Sequence, residues 1–372
     1  MELAISFNRS SVNGTNIFNN GMGQNIKFYY DLLELMGHQP FFMCFDDPIN
    51  GGEIVASAGT GQATVDINSK PYRFEHFQSV VASGRPIPIV FEIGITVLED
   101  QRTALRSTNC AKIIAIRYGN SLILDTEMML FKPDGGQLHL TGVDGLWYSP
   151  HFQRAKSYYE TIYKCPSAVA PYLWEPDFVL EGFQDIQVDE SPTIYVMEPN
   201  INVVKTCLIP VCILDRLYSA TPDSFARGLI ISGDNLQNQN YFLTNIVASL
   251  PVLQAESNKV FFTPRAKFED VFIKKNIMLG HHWHNSLNYL YCEALYKGVP
   301  LVHNSEDFKN VGYYYEDSDI DEGLKQLQAA IEEFAEPQNI SVAHDFLFQY
   351  SIHNPQVQNE YQRLIEGVIS TS

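Results

Sequence analysis

At 372 residues the chain is too long for one ordinary α/β core, so two domains are expected. Its 45% hydrophobic and 18% charged content is that of a folded globular protein and excludes a disordered chain. A formal net charge of −18 weighs against a broad phosphate-binding surface for duplex nucleic acid or an anionic membrane.

The N-terminus, MELAISFNRSS, carries no basic region followed by an apolar core, and no run of about eighteen apolar residues occurs. The cysteines (Cys44, Cys110, Cys165, Cys207, Cys212, Cys292) are scattered, with no CxxC pair. They read as reduced, buried thiols, so a cytoplasmic protein without stable membrane insertion is expected.

A first strand is expected at residues 3–7, then a polar, glycine-bearing loop at 8–25. A helix at 26–36 follows, with Ile26, Tyr29, Tyr30, Leu33 and Met36 at helical spacing. Gly37 ends it before a second strand at 40–45. This is the opening of many nucleotide-binding α/β domains, although the loop is not GxGxxG and carries no dinucleotide fingerprint. A long polar loop at a strand's carboxyl end more often faces a ligand than merely connects. Gly21, Gly23, Gln24 and Asn25 are therefore candidates for an acceptor or phosphate loop.

Strands at 87–92 and 112–117 and a strand-like stretch within 138–147 that ends near Asp144 alternate with helices at 100–108 and 150–165, and the acidic stretch 181–192 reads as an interdomain linker. The second half restarts with a strand at 193–197 and a helix at 201–217 that Pro210 must kink or end. A helix at 242–250, a strand at 260–263 and a helix at 268–274 follow. Beyond the stretch 277–304 come an amphipathic helix at 321–334 and one or two helices at 340–368, broken at Pro355. Alternating order in both halves predicts an α/β protein of two Rossmann-like, doubly wound parallel-sheet domains facing a cleft. The expected bounds are 1–180, 190–350 and a C-terminal helix at 351–372.

The clearest chemistry lies at 277–304. A short apolar run reaches the polar turn from His281 to Ser286. A helix follows with Leu287, Leu290, Tyr291, Ala294 and Leu295 on one face, and Gly298 can stop it before a strand at 299–302. Free N–H groups and the positive end of the helix dipole make such a junction a natural anion site. Glu293, two turns in, can accept hydrogen bonds from sugar hydroxyls, or equally be a solvated surface acid.

The string Glu293-Ala294-Leu295-Tyr296-Lys297-Gly298-Val299-Pro300-Leu301-Val302 resembles the EAMxxGxPVV string of retaining GT-B glycosyltransferases. Four stretches together, NGMGQNIKF, MEPNINVVK, HNSLNYLYCEALYKGVPLVHN and GYYYEDSD, resemble a bacterial and phage family of GT-B-like proteins. The resemblance implies that Glu293 binds the ribose of a nucleotide sugar and that Ser286, Leu287, Asn288 and Tyr289 offer backbone amides to its diphosphate and sugar. It implies a final helix crossing back to the first domain. Family members often carry an acid where this chain has Asn285. Lys205 is similar in placement to the family's phosphate-binding lysine, and Arg265 and His284 complete the expected donor site.

For the acceptor, Glu92 at a strand end is the first candidate base and Asp144 the second, followed by His151 and Glu127. Each fits equally a carboxylate or ring that braces the fold. The H-H-x-H of His281, His282 and His284 lacks a further ligand, so no metal is expected. No GxSxG, HExxH or P-loop appears. The expected function is metal-independent transfer of a hexose or pentose from a nucleotide diphosphate sugar to an acceptor hydroxyl on a glycan, small molecule or modified DNA base. No cofactor beyond the donor is expected. The rivals are a phage-type glycosyltransferase of a hydroxymethylated pyrimidine in DNA, a non-catalytic nucleotide-sugar-binding relative, and an epimerase of a nucleotide sugar.

Overall fold

The computed structural model describes residues 1–7, 21–45, 62–67, 70–93, 95–131, 142–183, 190–334 and 340–370. The chain divides into two compact units, one of Met1–Leu122, Pro133–Glu175 and Gln349–Ser372, the other of Ile123–Lys132 and Pro176–Phe348.

The first unit begins β1 (Glu2–Phe7), α1 (Gly21–Leu35), β2 (Gln39–Cys44), β3 (Gln62–Ile67), β4 (Lys70–His76) and α2 (Phe77–Ser83). It continues with β5 (Ile89–Ile93), α3 (Glu99–Asn109), β6 (Lys112–Arg117), α4 (Ser121–Phe131), β7 (Gly145–Tyr148), α5 (Lys156–Tyr163) and β8 (Ser167–Val169). From Ile123 onward α4 counts with the second unit. The sheet order is β3-β4-β2-β1-β5-β6-β7-β8, parallel throughout except for the β3–β4 hairpin. Its central strands, such as β5 with every residue buried, are near-continuous apolar runs because helices cover both faces.

The second unit contains β9 (Thr193–Val196), α6 (Leu208–Ala220), β10 (Arg227–Ile231), β11 (Val260–Thr263), α7 (Phe268–Val271) and β12 (Ile277–Leu279). Then come α8 (Tyr289–Lys297), β13 (Leu301–His303), β14 (Tyr313–Tyr314), α9 (Ile320–Glu333) and α10 (Ile340–Leu347). The order β11-β10-β9-β12-β13-β14 is parallel at every pairing. Ile194 and Val196 of β9 pack with Val211, Leu214 and Leu217 of α6 and Leu327 of α9 in its core. The chain runs outward from β9 to β11 and returns past β9 to β12. The crevice beyond the carboxyl ends of β9 and β12 is thus a topological switch point, the usual ligand site of an open α/β sheet.

The last helix, α11 (Pro355–Ser370), belongs to the first unit. Its buried Tyr361 meets the Tyr29 ring edge-on at 5.3 Å and donates its hydroxyl to the Pro171 carbonyl at 2.7 Å. Glu175 ties down the start of this segment by accepting from Ser351 Oγ and the Ile352 N–H, both at 2.6 Å.

Several expected elements differ. Helix α1 begins at Gly21, so Gly21, Gly23, Gln24 and Asn25 lie in its first turns rather than in a loop. Gln24 and Asn25 are buried, and burial outweighs the weak helix propensity of the glycines. Helix α6 starts at Leu208, not 201, and Pro210 sits in its first turn, where no intrahelical acceptor awaits an N–H. Residues 242–250 form a π-turn at Phe242–Ile246 and a 3₁₀ turn at Val247–Ser249 instead of an α-helix. Strand β7 starts at Gly145, just past Asp144, where the expected strand-like stretch was to end. The β3–β4 hairpin, α4, β10 and β14 had not been foreseen. The expected loop at 8–20, residues 138–141 of the expected strand and 184–189 of the expected linker lie outside the described residues.

Candidate functional site

The reversal between β9 and β12 sets two loops side by side. Residues 197–207 lead from β9 into α6, and residues 280–288 lead from β12 into α8. The Trp283 N–H donates to the Val204 carbonyl at 2.8 Å, and the His281 N–H donates to Glu198 Oε1 at 3.1 Å. Glu127 of α4 accepts the Val203 N–H at 3.0 Å and steadies the first loop.

Glu198 is fully buried, and its Oε2 meets no hydrogen-bond donor. Burial pushes its carboxyl up to about 7, against the pull of Lys205, the His281 N–H and the nearby Tyr291 hydroxyl. That hydroxyl lies beside Glu198 and Asn288 without a completed hydrogen bond to either. Lys205 is partly buried in a turn closed by the Asn202–Lys205 bridge, three residues before α6 rather than on it. Burial lowers its pKa and Glu198 opposes the shift. Among the described residues its ammonium has neither a hydrogen bond nor a direct ion pair.

His281 Nδ1 stands 3.0 Å from Tyr315 Oη, and that hydroxyl donates to the Gly280 carbonyl at 3.0 Å. The one hydroxyl proton is thereby used, so His281 carries its own proton on Nδ1. Burial holds this ring down to about 4, hence neutral at pH 7. A Cβ on Gly280 would fall 2.5 Å from Tyr291 Oη, so only glycine lets that hydroxyl enter the corner.

Asn288 caps α8 from extended backbone, its Oδ1 accepting the Leu290 N–H at 3.2 Å, and Gly298 ends the helix at φ 80°. The N–H groups of Ser286, Leu287 and Asn288 meet no acceptor among the described residues. Asn285 Oδ1 and Asn288 Nδ2 are buried without partners. The Asn285 N–H donates to His282 Nδ1 at 3.1 Å, and Ser286 Oγ bonds the Asp307 carboxylate. Asn304 accepts the His282 N–H at 3.0 Å and donates to the His282 carbonyl at 2.9 Å. Glu293 is buried in the second turn of α8, and Tyr289 is buried at its start. An unmade hydrogen bond at a buried group costs about 1–3 kcal/mol. A cation, free N–H groups at a helix N-terminus and unsatisfied buried polar atoms therefore suit this corner to a polar ligand with an anionic part.

The structure thus sets the loop that carries Lys205 beside the loop that leads into α8, joined by the Trp283–Val204 hydrogen bond, with Glu198 within electrostatic reach of Lys205. Sequence reading did not single out Glu198 or Tyr291. The only signal for Glu198 was an acid directly after an apolar strand and before Pro199-Asn200, and Tyr291 read as core. His284 is exposed at φ 51°, and Arg265 is exposed beyond β11, at the far edge of the sheet with β10 between it and β9. Among the described residues no group of three or more His, Cys, Asp and Glu is placed to hold a metal ion.

The candidate acceptor bases prove to brace the first unit. Glu92, fully buried, accepts from Arg102 Nη2 at 2.8 Å, the Val97 N–H at 3.1 Å and Arg117 Nη2 at 2.9 Å. Both oxygens are committed to these partners. Asp144 likewise accepts the Ile113 N–H at 2.8 Å and pairs with Arg106 at 2.9 Å, locking β6 to α3. The His151 ring packs 3.7 Å from that of Phe152.

Among solved structures the chain is similar over its whole length to a sucrose-phosphate synthase from Thermosynechococcus elongatus. The TM-score is 0.61 at 10% identity, covering 100% of each chain. It is also similar to an S. aureus TarM mutant in complex with Fondaparinux, alpha-GlcNAc-glycerol and UDP (TM-score 0.61, 9% identity, 98% of this chain and 99% of that one). An alpha-glucosyltransferase in complex with UDP and a 13-mer DNA containing an HMU base matches at TM-score 0.56 and 9% identity, over 98% and 99% of the two chains. The fold is that of the GT-B glycosyltransferases. No curated protein sequence matches the chain. Among the described residues no helix is long and apolar enough to cross a membrane. A family profile matches residues 5–365, and the chain therefore belongs to the family described as "Protein of unknown function (DUF2827)".

Proposed function

We propose that the chain is a glycosyltransferase that binds a nucleotide diphosphate sugar at the β9–β12 switch point and passes the sugar to an acceptor hydroxyl. The observation that carries this reading is that the loop of Lys205, whose ammonium has no hydrogen bond or direct ion pair among the described residues, adjoins the loop whose Ser286, Leu287 and Asn288 N–H groups meet no acceptor among them at the start of α8. Charge builds on the diphosphate as the sugar bond breaks. A fixed cation and oriented N–H dipoles stabilise that charge more in the transition state than in the ground state. Glu293, further along α8, is suited to the ribose hydroxyls, and Asn285 and Asn288 offer an acceptor and a donor to the sugar. With the leaving group met in this way, transfer proceeds without a metal, and EDTA is expected to leave the rate unchanged. Relatives of the fold are bound to UDP, and one of them to DNA containing an HMU base, which makes a hydroxymethylated base one acceptor to test.

The test is thermal stabilisation by UDP, ADP and their sugars, on wild type, Glu293→Ala and Lys205→Met. A ligand at about a hundred times its Kd stabilises by about 2.7 kcal/mol. A shift with one nucleotide, lost in both variants, supports the reading. Equal shifts in wild type and variants would move the site elsewhere. Binding without product on any acceptor would favour a non-catalytic relative.

A further inference from the structure

Glu198 has no part in the donor contacts above, yet it is the most unusual group of the corner. It is fully buried, half-satisfied, and within electrostatic reach of Lys205, whose ammonium has no hydrogen bond or direct ion pair among the described residues. The titratable groups around it can be named element by element. Lys205 and Cys207 come from the β9–α6 loop, His281 from the loop after β12, Tyr291 from α8 and Tyr315 from the segment after β14. Glu127, the further carboxylate against the same loop, is bound to the Val203 N–H.

We propose that Glu198 is the positioning residue of the diphosphate site, taking up one proton from solvent when a nucleoside diphosphate binds at Lys205. This rests on the donor-site reading given above. With Glu198 ionised, Glu198 and Lys205 sum to zero charge. With Glu198 protonated the pair is cationic, and Lys205 is released from a competing carboxylate to face the ligand. An arriving diphosphate takes the pull of Lys205 away from Glu198 and adds negative charge beside it, so binding and protonation reinforce each other. No bond other than O–H changes, and the proton comes from buffer. Cys207, His281, Tyr291 and Tyr315 do not compete for it near neutral pH. Burial pushes Cys207 up to about 12 and holds His281 down to about 4, and the Tyr291 and Tyr315 hydroxyls lie well above their usual range. Glu198 itself, at about 7 in the free site, has a proton to gain at pH 7.5–8.5.

Calorimetric titration with UDP and with ADP above pH 7.5, where their terminal phosphates are already ionised, tests this in two buffers of different ionisation enthalpy. The wild type is expected to show heats that differ between buffers, equivalent to uptake of up to one proton per site. Its affinity should fall by up to roughly tenfold per pH unit above pH 7. Glu198→Gln should bind with buffer-independent heat and a flat pH profile, more tightly than wild type at pH 8.5. The wild-type comparison stands even if the variant folds poorly. Binding with identical heats in both buffers would overturn the inference and leave the donor-site reading intact. No binding of UDP, ADP or pyrophosphate would overturn that reading, and this inference with it.

Discussion

Two buried acids, Glu92 and Glu198, lead to opposite expectations because their partners differ. Glu92 lies between the guanidinium groups of Arg102 and Arg117, so Glu92→Ala leaves two cations without their shared carboxylate. Breaking such a pair is expected to cost about 3–5 kcal/mol in urea unfolding. A variant as stable as wild type that lost transfer would return Glu92 to the chemistry. Glu198 has a carboxyl pKa raised from 4.5 to about 7, so the folded state favours the protonated acid. Its contribution is fully present below the unfolded value and is lost as pH rises through 7, a difference of about 3 kcal/mol. The stability of Glu198→Gln relative to wild type should therefore rise by that amount between pH 4.5 and 8. A constant difference across that range would show that Glu198 is not buried in this way. Lys205 and Glu293 were legible in the sequence as candidates because a strand end and a helix string announce them. Glu198 was not, since a buried acid has meaning only through neighbours that sequence does not list together.

Helix α8 was the most legible element, with its start within two residues of expectation and its stop at Gly298. Both ends are set by local chemistry, a side-chain cap and a left-handed glycine. Asn288→Ala is expected to cost about 1 kcal/mol of stability. It should also weaken the nucleotide-induced melting shift, because the same residue carries a buried Nδ2 facing the corner. An unchanged shift would place the ligand away from this end of α8. Gly280→Ala tests the packing of Tyr291 against β12. The added methyl collides with Tyr291 Oη and should cost about 1–3 kcal/mol, with nucleotide binding lost before the fold is. The start of α6 was misread because Pro210 looked like a helix breaker in mid-run. In the structure it is simply near the beginning, where proline is tolerated.

At the scale of the molecule, α11 joins the first unit although it follows the second in sequence. Tyr361→Ala removes a fully buried ring that packs on Tyr29 and Trp147. It is expected to cost about 3–5 kcal/mol in thermal or urea unfolding while leaving UDP affinity unchanged. Loss of both together would show that the two units fold as one. The sequence by itself determined the alternation of buried strands and amphipathic helices, and with it two parallel-sheet units, since periodicity and caps are local properties of the chain. It also placed the α8 turn, for the same reason. Only the tertiary structure decided which strands are neighbours. That β9 lies against β12 is a matter of sheet order, which no local pattern encodes. It is this adjacency that brings Glu198 within 3.1 Å of the His281 N–H, 83 residues further along the chain, and so makes a candidate site of two unremarkable loops.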